Sequence, residues 1–202
     1  MNVEGKKVLV VGVARSGIAA ARLLASHGAM VIANDIRNES ELRDAAAELR
    51  RLDVMLSLGG HPESLFGNAD LIVLSPGVPV DLPALEAGRR AGVEIISEPE
   101  LAGRFMRGRM IGVTGSNGKT TVTTLVGELM RAAGAEVIVG GNIGMPLSSL
   151  VEKSTEKSWL VAEATRNLLF HLKPDDIWKD SLKHLGGEYE MMINFPIDPQ
   201  LN

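Results

Sequence analysis

A glycine-rich segment in the second half of the chain carries the clearest signal for chemistry. It reads Thr114-Gly115-Ser116-Asn117-Gly118-Lys119-Thr120-Thr121 and lies between a predicted strand and a predicted helix. Glycines at such a junction let backbone N–H groups point inward, where they bind phosphate oxygens. Lys119 can then reach the outer phosphates, and the hydroxyl of Thr120 can ligate a magnesium ion that bridges them. The segment departs from the common phosphate-loop pattern at Val113, which stands in place of the first glycine.

A second glycine motif, Gly12-Val13-Ala14-Arg15-Ser16-Gly17, directly follows the first predicted strand. It is similar to the fingerprint of dinucleotide-binding folds, with Ala14 at the position of the second glycine. The next strand ends at Asp35, 18 residues after Gly17, which is close to the usual spacing of about 20. Because the start of the following helix favours a diphosphate, we predict a nucleotide site here. The alternative interpretation of Asp35 is a solvated carboxylate at a strand end.

Further polar or small residues follow predicted strand ends. Ser75 and Gly77 come after the strand 71–74 and therefore lie on the same carboxyl edge as the first motif. Asn142 follows a Gly-Gly pair near the phosphate loop, and its amide can contact a sugar or a base. Glu163 ends a predicted strand, where a carboxylate is a natural second magnesium ligand. The histidines have no metal-ligand spacing and are interpreted as solvated or structural; they are His27, His61, His171 and His184.

The composition of the 202 residues excludes several classes of protein. The formal net charge is −4, which argues against a general electrostatic grip on nucleic acid. There is no apolar run of about 18 residues and no signal-peptide pattern at the start, so we expect neither a membrane span nor secretion. The lack of cysteine excludes disulfides and thiolate metal sites. We therefore expect a cytoplasmic monomer without nucleic-acid or membrane partners.

These motifs need a scaffold that brings strand ends together, and the rest of the sequence predicts one. Apolar runs such as 7–13 and 71–74 alternate with helical segments of about ten residues, which is typical of a parallel sheet in an α/β fold. The alternation restarts near residue 110, after a predicted connector over 98–109. We therefore predict a Rossmann-like parallel-sheet domain over 1–103 and an incomplete P-loop ATPase-like α/β domain over 104–202.

The end of the chain differs in character from the rest. Five of the seven aromatic residues follow residue 150, and the regular alternation weakens after about residue 165. We interpret this region as an atypical tail of the second domain. Within it we predict a short helix over 177–185 and a short strand over 191–195.

The two glycine motifs and three other segments resemble the Mur ligase family over roughly residues 1–163. The segments occur in the family's order and spacing; they are Gly12–Gly17, Asp35–Arg37, Leu74–Val78, Gly112–Thr121 and Gly140–Pro146. The resemblance implies an ATP-dependent ligase of peptidoglycan synthesis that uses ATP and Mg²⁺. In such enzymes ATP phosphorylates the carboxylate of a UDP-sugar-linked substrate, expected here to be UDP-N-acetylmuramoyl-L-alanine. The amine of an incoming amino acid, expected here to be D-glutamate, then attacks the acyl phosphate, phosphate leaves, and an amide forms.

The resemblance also implies a role for each candidate residue. The UDP-sugar substrate is expected to be held by Ser16, Gly17, Asp35, Arg37, Ser75, Gly77 and Asn142. The residues expected to bind ATP are Gly115, Ser116, Asn117, Gly118, Lys119, Thr120 and Thr121. Magnesium is expected at Thr120 and Glu163, and the catalytic roles are expected to fall on Lys119 and Glu163.

The resemblance is incomplete beyond Glu163. Where the family continues with a Ser-Ser-Phe-Gln-Leu-type segment, this sequence reads Ala-Thr-Arg-Asn-Leu-Leu over 164–169. Pro199 stands where the family has a histidine that helps to bind metal, and the family's third domain has no counterpart. A truncated, frameshifted or fused reading frame would explain these departures, and we expect little activity from such a chain.

Two other functions stay open from the sequence. One is a non-catalytic module that binds a nucleotide or a UDP-sugar. The other is an NAD(P)-dependent oxidoreductase domain built on the first glycine motif. Ala14 and the second phosphate-binding loop argue against the oxidoreductase.

Overall fold

The computed structural model describes residues 1–115, 118–141, 144–163 and 189–194. The chain divides into two compact units, Met1–Ala102 and Gly103–Asn202. The predicted helix over 177–185, the departures over 164–169 and Pro199 lie outside the described residues.

The first unit is built on a five-stranded sheet with the strand order β3-β2-β1-β4-β5. Its elements in chain order are β1 (Lys7–Val11), α1 (Arg15–Ser26), β2 (Met30–Asp35), α2 (Arg43–Arg51), β3 (Met55–Leu58), α3 (Glu63–Gly67), β4 (Leu71–Leu74), α4 (Leu85–Arg90) and β5 (Glu94–Ser97). Every neighbouring pair of strands is parallel, as the alternation of strands and helices predicts.

The central strands of this sheet are mostly apolar and buried, as expected for a parallel sheet covered on both faces. Val10 pairs with Ala33 on one side and with Val73 on the other, and all three side chains are buried. Phe66 and Leu85 are fully buried in the cluster that packs against one face. Burying such a side chain contributes about 1.5–3 kcal/mol, so this core holds the strand ends in place.

Helix α1 packs unusually close to the turn that follows β1. A Cβ atom added at Gly17 would lie 1.8 Å from the carbonyl oxygen of Gly12 and 2.7 Å from Oγ of Ser75. Only a residue without a side chain fits between this helix and the two strand ends. The third glycine position of the motif therefore serves helix-to-sheet packing.

A helix, α5 (Glu98–Phe105), replaces most of the connector that we predicted over 98–109. Glu98 and Glu100 lie in its first turn, where carboxylates interact favourably with the helix dipole. Pro99 is tolerated there because the first helical N–H groups need no partner within the helix. Leu101 is completely buried, so packing stabilises as a helix a segment that we predicted to be a connector.

The second unit contains a four-stranded sheet with the order β7-β8-β6-β9. Its described elements are β6 (Arg109–Gly115), α6 (Lys119–Ala132), β7 (Glu136–Gly141), two short 3₁₀ helices (Leu147–Ser149 and Val151–Lys153), β8 (Ser158–Glu163) and β9 (Tyr189–Asn194). Strands β7, β8 and β6 are parallel, whereas β9 runs antiparallel to β6. An antiparallel edge strand on a parallel sheet is common in α/β folds.

Helix α6 covers one face of the second sheet. Val122 and Val126 of the helix pack with the buried strand residues Ile111, Val113 and Val161. This contact positions the first turn of α6 over the carboxyl ends of β6 and β8.

Among the described residues, no helix combines the length and the apolar character that a membrane crossing needs.

We predict that Gly17→Ala lowers the free energy of unfolding by about 2–3 kcal/mol, because the new methyl group collides with the backbone of Gly12. Alanine is the better helix former by about 1 kcal/mol, so the collision outweighs the gain in propensity. Urea unfolding followed by circular dichroism measures the difference.

The matched control is Gly103→Ala, which also lies in a helix. There an added Cβ meets only Met110, at an ordinary contact distance of 3.5 Å. This variant should be as stable as the wild type or slightly more stable. Equal stability of the Gly17 and Gly103 variants would contradict the close packing of α1.

Candidate functional site

The carboxyl ends of β1, β2 and β4 meet in a pocket of about 280 Å³ in the first unit. The residues that line it are Gly12, Ala14, Asp35, Ile36, Arg37, His61, Ser75, Gly77, Val78, Pro79 and Leu82. In open parallel sheets, ligands bind outside the carboxyl ends of the strands, beside the point where the strand order reverses. Between β1 and β4 the order reverses in this sheet, so the pocket lies at the expected place.

Asp35 is the most highly coordinated polar group of this pocket. Its Oδ1 accepts hydrogen bonds from the backbone N–H and the Nε of Arg37, both at 2.9 Å. Its Oδ2 accepts from Nη2 of Arg37 and from the backbone N–H of Val13, both at 2.7 Å. A carboxylate offers about four lone-pair positions, so these four donors use its whole accepting capacity.

These contacts determine the charge of Asp35, whose residue is only 4% exposed. Burial raises the pKa of this carboxyl group and is the largest single influence. The hydrogen bonds from the Arg37 side chain and from the backbone of Arg37 and Val13, with the charge of Arg37, together outweigh it and lower the pKa from 3.8 to about 2. Asp35 is therefore ionised at neutral pH.

Arg37 supplies a fixed positive charge at the surface of the pocket. Its guanidinium group is bound to Asp35 through two nitrogens and donates from Nη2 to the carbonyl oxygen of Val13 at 3.2 Å. The hydrogen bond with Asp35 is the main reason that the pKa of Arg37 is raised. The Arg37 side chain is still 43% exposed, so its charge is available to an anionic ligand.

The start of α1 provides a second attraction for anions. The helix begins at Arg15, with Ala14 as its cap, and neither an acidic first-turn residue nor a capping side chain occupies its first N–H groups. Unsatisfied N–H groups and the positive end of the helix dipole make such a terminus a natural site for phosphate. Ala14 lines the pocket, so this terminus opens toward it.

Ser75 connects the ends of β1 and β4. Its hydroxyl donates to the carbonyl oxygen of Gly12 at 2.8 Å, and the residue is 5% exposed. The pocket thus brings together Asp35, Arg37, Ser75 and Gly77 of the predicted UDP-sugar residues. Ser16 and Gly17 lie in the first turn of α1 and do not line it, and Asn142 lies outside the described residues.

His61 is a pocket residue that the sequence analysis did not single out, and Asn34 is its buried neighbour behind the pocket lining. His61 follows β3 through a Gly-Gly pair and lines the pocket, and its Nδ1 lies 2.5 Å from Oδ1 of the buried Asn34. Its position just past a strand end, on the same carboxyl edge as Asp35, is the signal that could have identified it. Metal-ligand spacing was the wrong criterion for this histidine.

The second unit places the predicted phosphate loop between β6 and α6. Gly118 has a φ of 73°, a left-handed conformation that favours glycine, and α6 begins directly after it at Lys119. Lys119 is half-buried, while Thr120 and Thr121 are exposed in the first turn. Gly115 ends β6, and Ser116 and Asn117 lie outside the described residues.

Thr120 and Glu163 meet across the carboxyl edge of the second sheet. The Thr120 hydroxyl donates to Oε2 of Glu163 at 2.9 Å, and Glu163 is only 7% exposed. Glu163 pairs in register with Val113 of β6, which explains why it lies beside the loop. A hydroxyl and a carboxylate are the hard oxygen donors that Mg²⁺ prefers, and Mg²⁺ completes its shell with water and phosphate oxygens. The pair therefore fits magnesium, although no group of three or more His, Asp or Glu side chains forms within the described part of the chain.

Comparison with known families agrees with both halves of this structure. The family described as the N-terminal domain of MurD-like Mur ligases matches residues 6–97, and the Mur ligase middle domain matches residues 113–174. Together the two matches span most of the chain. The chain therefore belongs to the Mur ligase family, which favours the ligase interpretation over the oxidoreductase.

Similar curated proteins carry a more particular name. UDP-N-acetylmuramoylalanine--D-glutamate ligase of Geotalea daltonii is 49% identical over 163 residues, which cover 81% of this chain and 36% of that protein. The protein of the same name from Geobacter metallireducens is 50% identical with the same coverage. The chain thus spans about a third of the length of these curated relatives.

A solved structure supports the fold. The UDP-N-acetylmuramate:L-alanyl-gamma-D-glutamyl-meso-diaminopimelate ligase from Neisseria meningitides superposes with a TM-score of 0.50 at 19% identity. The match covers 79% of this chain and 52% of that structure. At this identity the likeness concerns the α/β fold alone.

We predict that Asp35→Asn lowers the free energy of unfolding by about 2 kcal/mol at pH 7, because the amide cannot accept from all four N–H donors. The native pKa of Asp35 is lowered, so its contribution is present above the unfolded pKa near 3.8 and is lost as the pH falls toward about 2. The difference between wild type and variant should therefore shrink between pH 4 and pH 2. Urea unfolding across this range measures it.

The control for this variant is Asp81→Asn, which changes an exposed carboxylate. Its stability should stay within about 0.5 kcal/mol of the wild type at every pH. A difference between wild type and Asp35→Asn that does not depend on pH would show that the charge of Asp35 does not stabilise the pocket.

Proposed function

We propose that the first unit binds the UDP part of UDP-N-acetylmuramoyl-L-alanine and that the second unit binds ATP with Mg²⁺. A protein containing both units would use them to join D-glutamate to that substrate in peptidoglycan synthesis. One observation carries this proposal. In each unit a helix begins beside the carboxyl ends of the strands, and its N-terminus can bind an anion. Arg37 accompanies the first terminus, and Thr120 with Glu163 accompanies the second.

In the first unit, Arg37 and the start of α1 would neutralise the diphosphate. Asp35 would act through Arg37, because its oxygens already accept four N–H groups. Ser75 would keep the β1 and β4 ends in place, and Gly77 would let the chain approach the ligand closely. Ser16, Gly17 and Asn142 stay predictions as direct ligand contacts.

In the second unit, the loop that ends at Gly118 would surround the phosphates of ATP, and Lys119 would interact with the outer ones. Thr120 and Glu163 would hold Mg²⁺, which supplies charge neutralisation for the phosphates when it is bound. Gly115, Ser116, Asn117 and Thr121 stay predicted ATP contacts. Phosphoryl transfer depends mainly on positioning and charge, so no nucleophile from the chain is needed.

The reaction that we propose for the whole protein has two steps. The carboxylate of the UDP-sugar substrate attacks the γ-phosphorus of ATP, which gives an acyl phosphate and ADP. The amine of D-glutamate then attacks the acyl carbon, phosphate leaves, and an amide is formed. A chain without cysteine and with a net charge of −4 is compatible with the cytoplasmic monomer that we propose.

UDP-N-acetylmuramoyl-L-alanine should raise the melting temperature of the 202-residue chain. At about 100 times its Kd the ligand adds about 2.7 kcal/mol to the free energy of unfolding, which corresponds to a rise of about 5–11 °C. Arg37→Ala should weaken binding at least about tenfold and so roughly halve the shift at the same ligand concentration. Differential scanning fluorimetry measures both shifts.

Arg22→Ala is the control for this experiment, because Arg22 is also ion-paired, with Glu48, but does not line the pocket. Its ligand-induced shift should equal that of the wild type. A wild-type melting temperature that does not move at saturating ligand would remove the UDP-sugar assignment.

Binding of the non-hydrolysable analogue adenosine 5′-(β,γ-imido)triphosphate should be tighter in Mg²⁺ than in EDTA. Thr120→Val and Glu163→Gln should each reduce this gain by about tenfold, since the first removes an oxygen ligand and the second replaces a carboxylate with a neutral amide. Isothermal titration calorimetry in the two buffers gives the gain for each variant.

Thr124→Val provides the matched control on the same helix. The hydroxyl of Thr124 donates to the backbone oxygen of Thr120 at 2.8 Å and takes no part in the contact with Glu163. This variant should keep the full gain from Mg²⁺. An unchanged gain in both Thr120→Val and Glu163→Gln would exclude the magnesium site.

A further inference from the structure

The orientation of His61 is determined by a buried amide. Asn34 is fully buried, and its Nδ2 donates to the carbonyl oxygens of Ser57 and Gly60, both at 2.7 Å. These two acceptors occupy both N–H groups of the amide, so its oxygen must face the other way. There Oδ1 of Asn34 lies 2.5 Å from Nδ1 of His61.

This arrangement decides which nitrogen of His61 carries the proton. An amide oxygen can only accept, so Nδ1 of His61 must be the N–H donor. The neutral ring then has its free lone pair at Nε2. Phe66 contacts the ring edge-on, with centroids 6.2 Å apart and planes at 82°, which restrains its rotation. His61 therefore brings a fixed hydrogen-bond acceptor to the pocket that it lines.

The position of His61 indicates which part of a ligand it meets. The backbone N–H of Gly59 donates to the carbonyl oxygens of Asp35 and Arg37, so the loop after β3 lies against the end of β2. In folds of this type the diphosphate lies at the start of the first helix, and the nucleoside lies toward the end of β2. His61 is thus at the nucleoside end. The carboxylate of Asp35, which usually accepts from the nucleoside there, has its accepting capacity used by Arg37 and Val13.

We propose that His61 is a specificity-determining residue of this pocket, whose Nε2 accepts a hydrogen bond from an N–H or O–H group of the bound nucleoside. The proposal rests on the proposed binding of a uridine diphosphate group to this unit. Two donors have the required chemistry, the imide N–H of uracil and the 2′-hydroxyl of the ribose. Cytosine has a lone pair at the position of the imide N–H, and 2′-deoxyribose lacks the 2′-hydroxyl. Each change would lose the hydrogen bond to Nε2 only if the group that it removes is the donor.

The experiment measures the dissociation constants of UDP, CDP and 2′-deoxy-UDP by isothermal titration calorimetry with the full chain at pH 8. The variants are His61→Phe, which keeps a ring against Phe66, and His61→Gln, which restores an acceptor near the position of Nε2. The control is His27→Phe, because His27 is a histidine of the same unit at the end of α1, outside the pocket. Ratios between ligands within one variant do not depend on how much of that variant is folded.

The wild type and His27→Phe should prefer UDP over CDP or over 2′-deoxy-UDP by about tenfold, as expected for one hydrogen bond with a buried donor. His61→Phe should bring that ratio close to one, and His61→Gln should recover most of it. The ratio that collapses identifies the donor as the imide or the ribose. If the wild type binds UDP and both ratios survive in His61→Phe, the role of His61 is wrong while the UDP site stands. If the wild type binds none of the three nucleotides, the proposed function of the pocket fails and the role of His61 fails with it.

Discussion

The first unit depends on the ionised carboxylate of Asp35, which is buried and accepts four N–H groups. Removing a carboxylate from water is costly, and the cost is offset only when charged and hydrogen-bonded partners replace the water. Here the backbone of Val13 and the side chain of Arg37 supply them. The same bonds that stabilise the anion therefore hold the turn after β1 and fix a cation at the mouth of the pocket. If this carboxylate were neutral, both the turn and the guanidinium group would lose their anchor.

A second strand-end carboxylate, Glu163, is arranged for a different task. It is as deeply buried as Asp35, but the group that it contacts is the hydroxyl of Thr120 rather than a guanidinium. A hydroxyl is a neutral partner for Glu163, whereas Arg37 is a charged partner for Asp35. A carboxylate with a hydroxyl beside a helix N-terminus suits a metal ion with its phosphates, which is the role that we propose for Glu163, while a carboxylate paired with an arginine organises the protein around it. The two units thus each place a carboxylate at a strand end, where Asp35 serves as a scaffold and Glu163 has the binding role that we propose.

Much of this architecture could be predicted from local patterns. The buried strands β1 and β4 are continuous apolar runs, and both glycine motifs lie between a strand and a helix, so the parallel sheets followed directly. The difference came where packing overrides local preference. The segment 98–109 was predicted as a connector, yet a helix occupies most of it and Leu101 is buried there. No direction was predicted for β9, because its antiparallel pairing depends on a partner strand far away in the sequence. The place of His61 in the pocket was not predicted, because its contact with the amide of Asn34, 27 residues earlier, does not appear in any spacing between histidines.

The sequence by itself determined that strand ends carry glycines, carboxylates and a Gly-Lys-Thr segment, since period, residue type and spacing are local properties. Those properties are enough to predict an α/β chain with two anion sites. Only the tertiary structure decided what each group does. Gly17 is required by the close approach of α1 to Gly12, Asp35 binds Arg37, and the amide of Asn34 determines which nitrogen of His61 carries the proton. The reason is physical, because each polar side chain can make only a limited number of hydrogen bonds. Only the folded sheet brings the partners that form these bonds within about 3 Å.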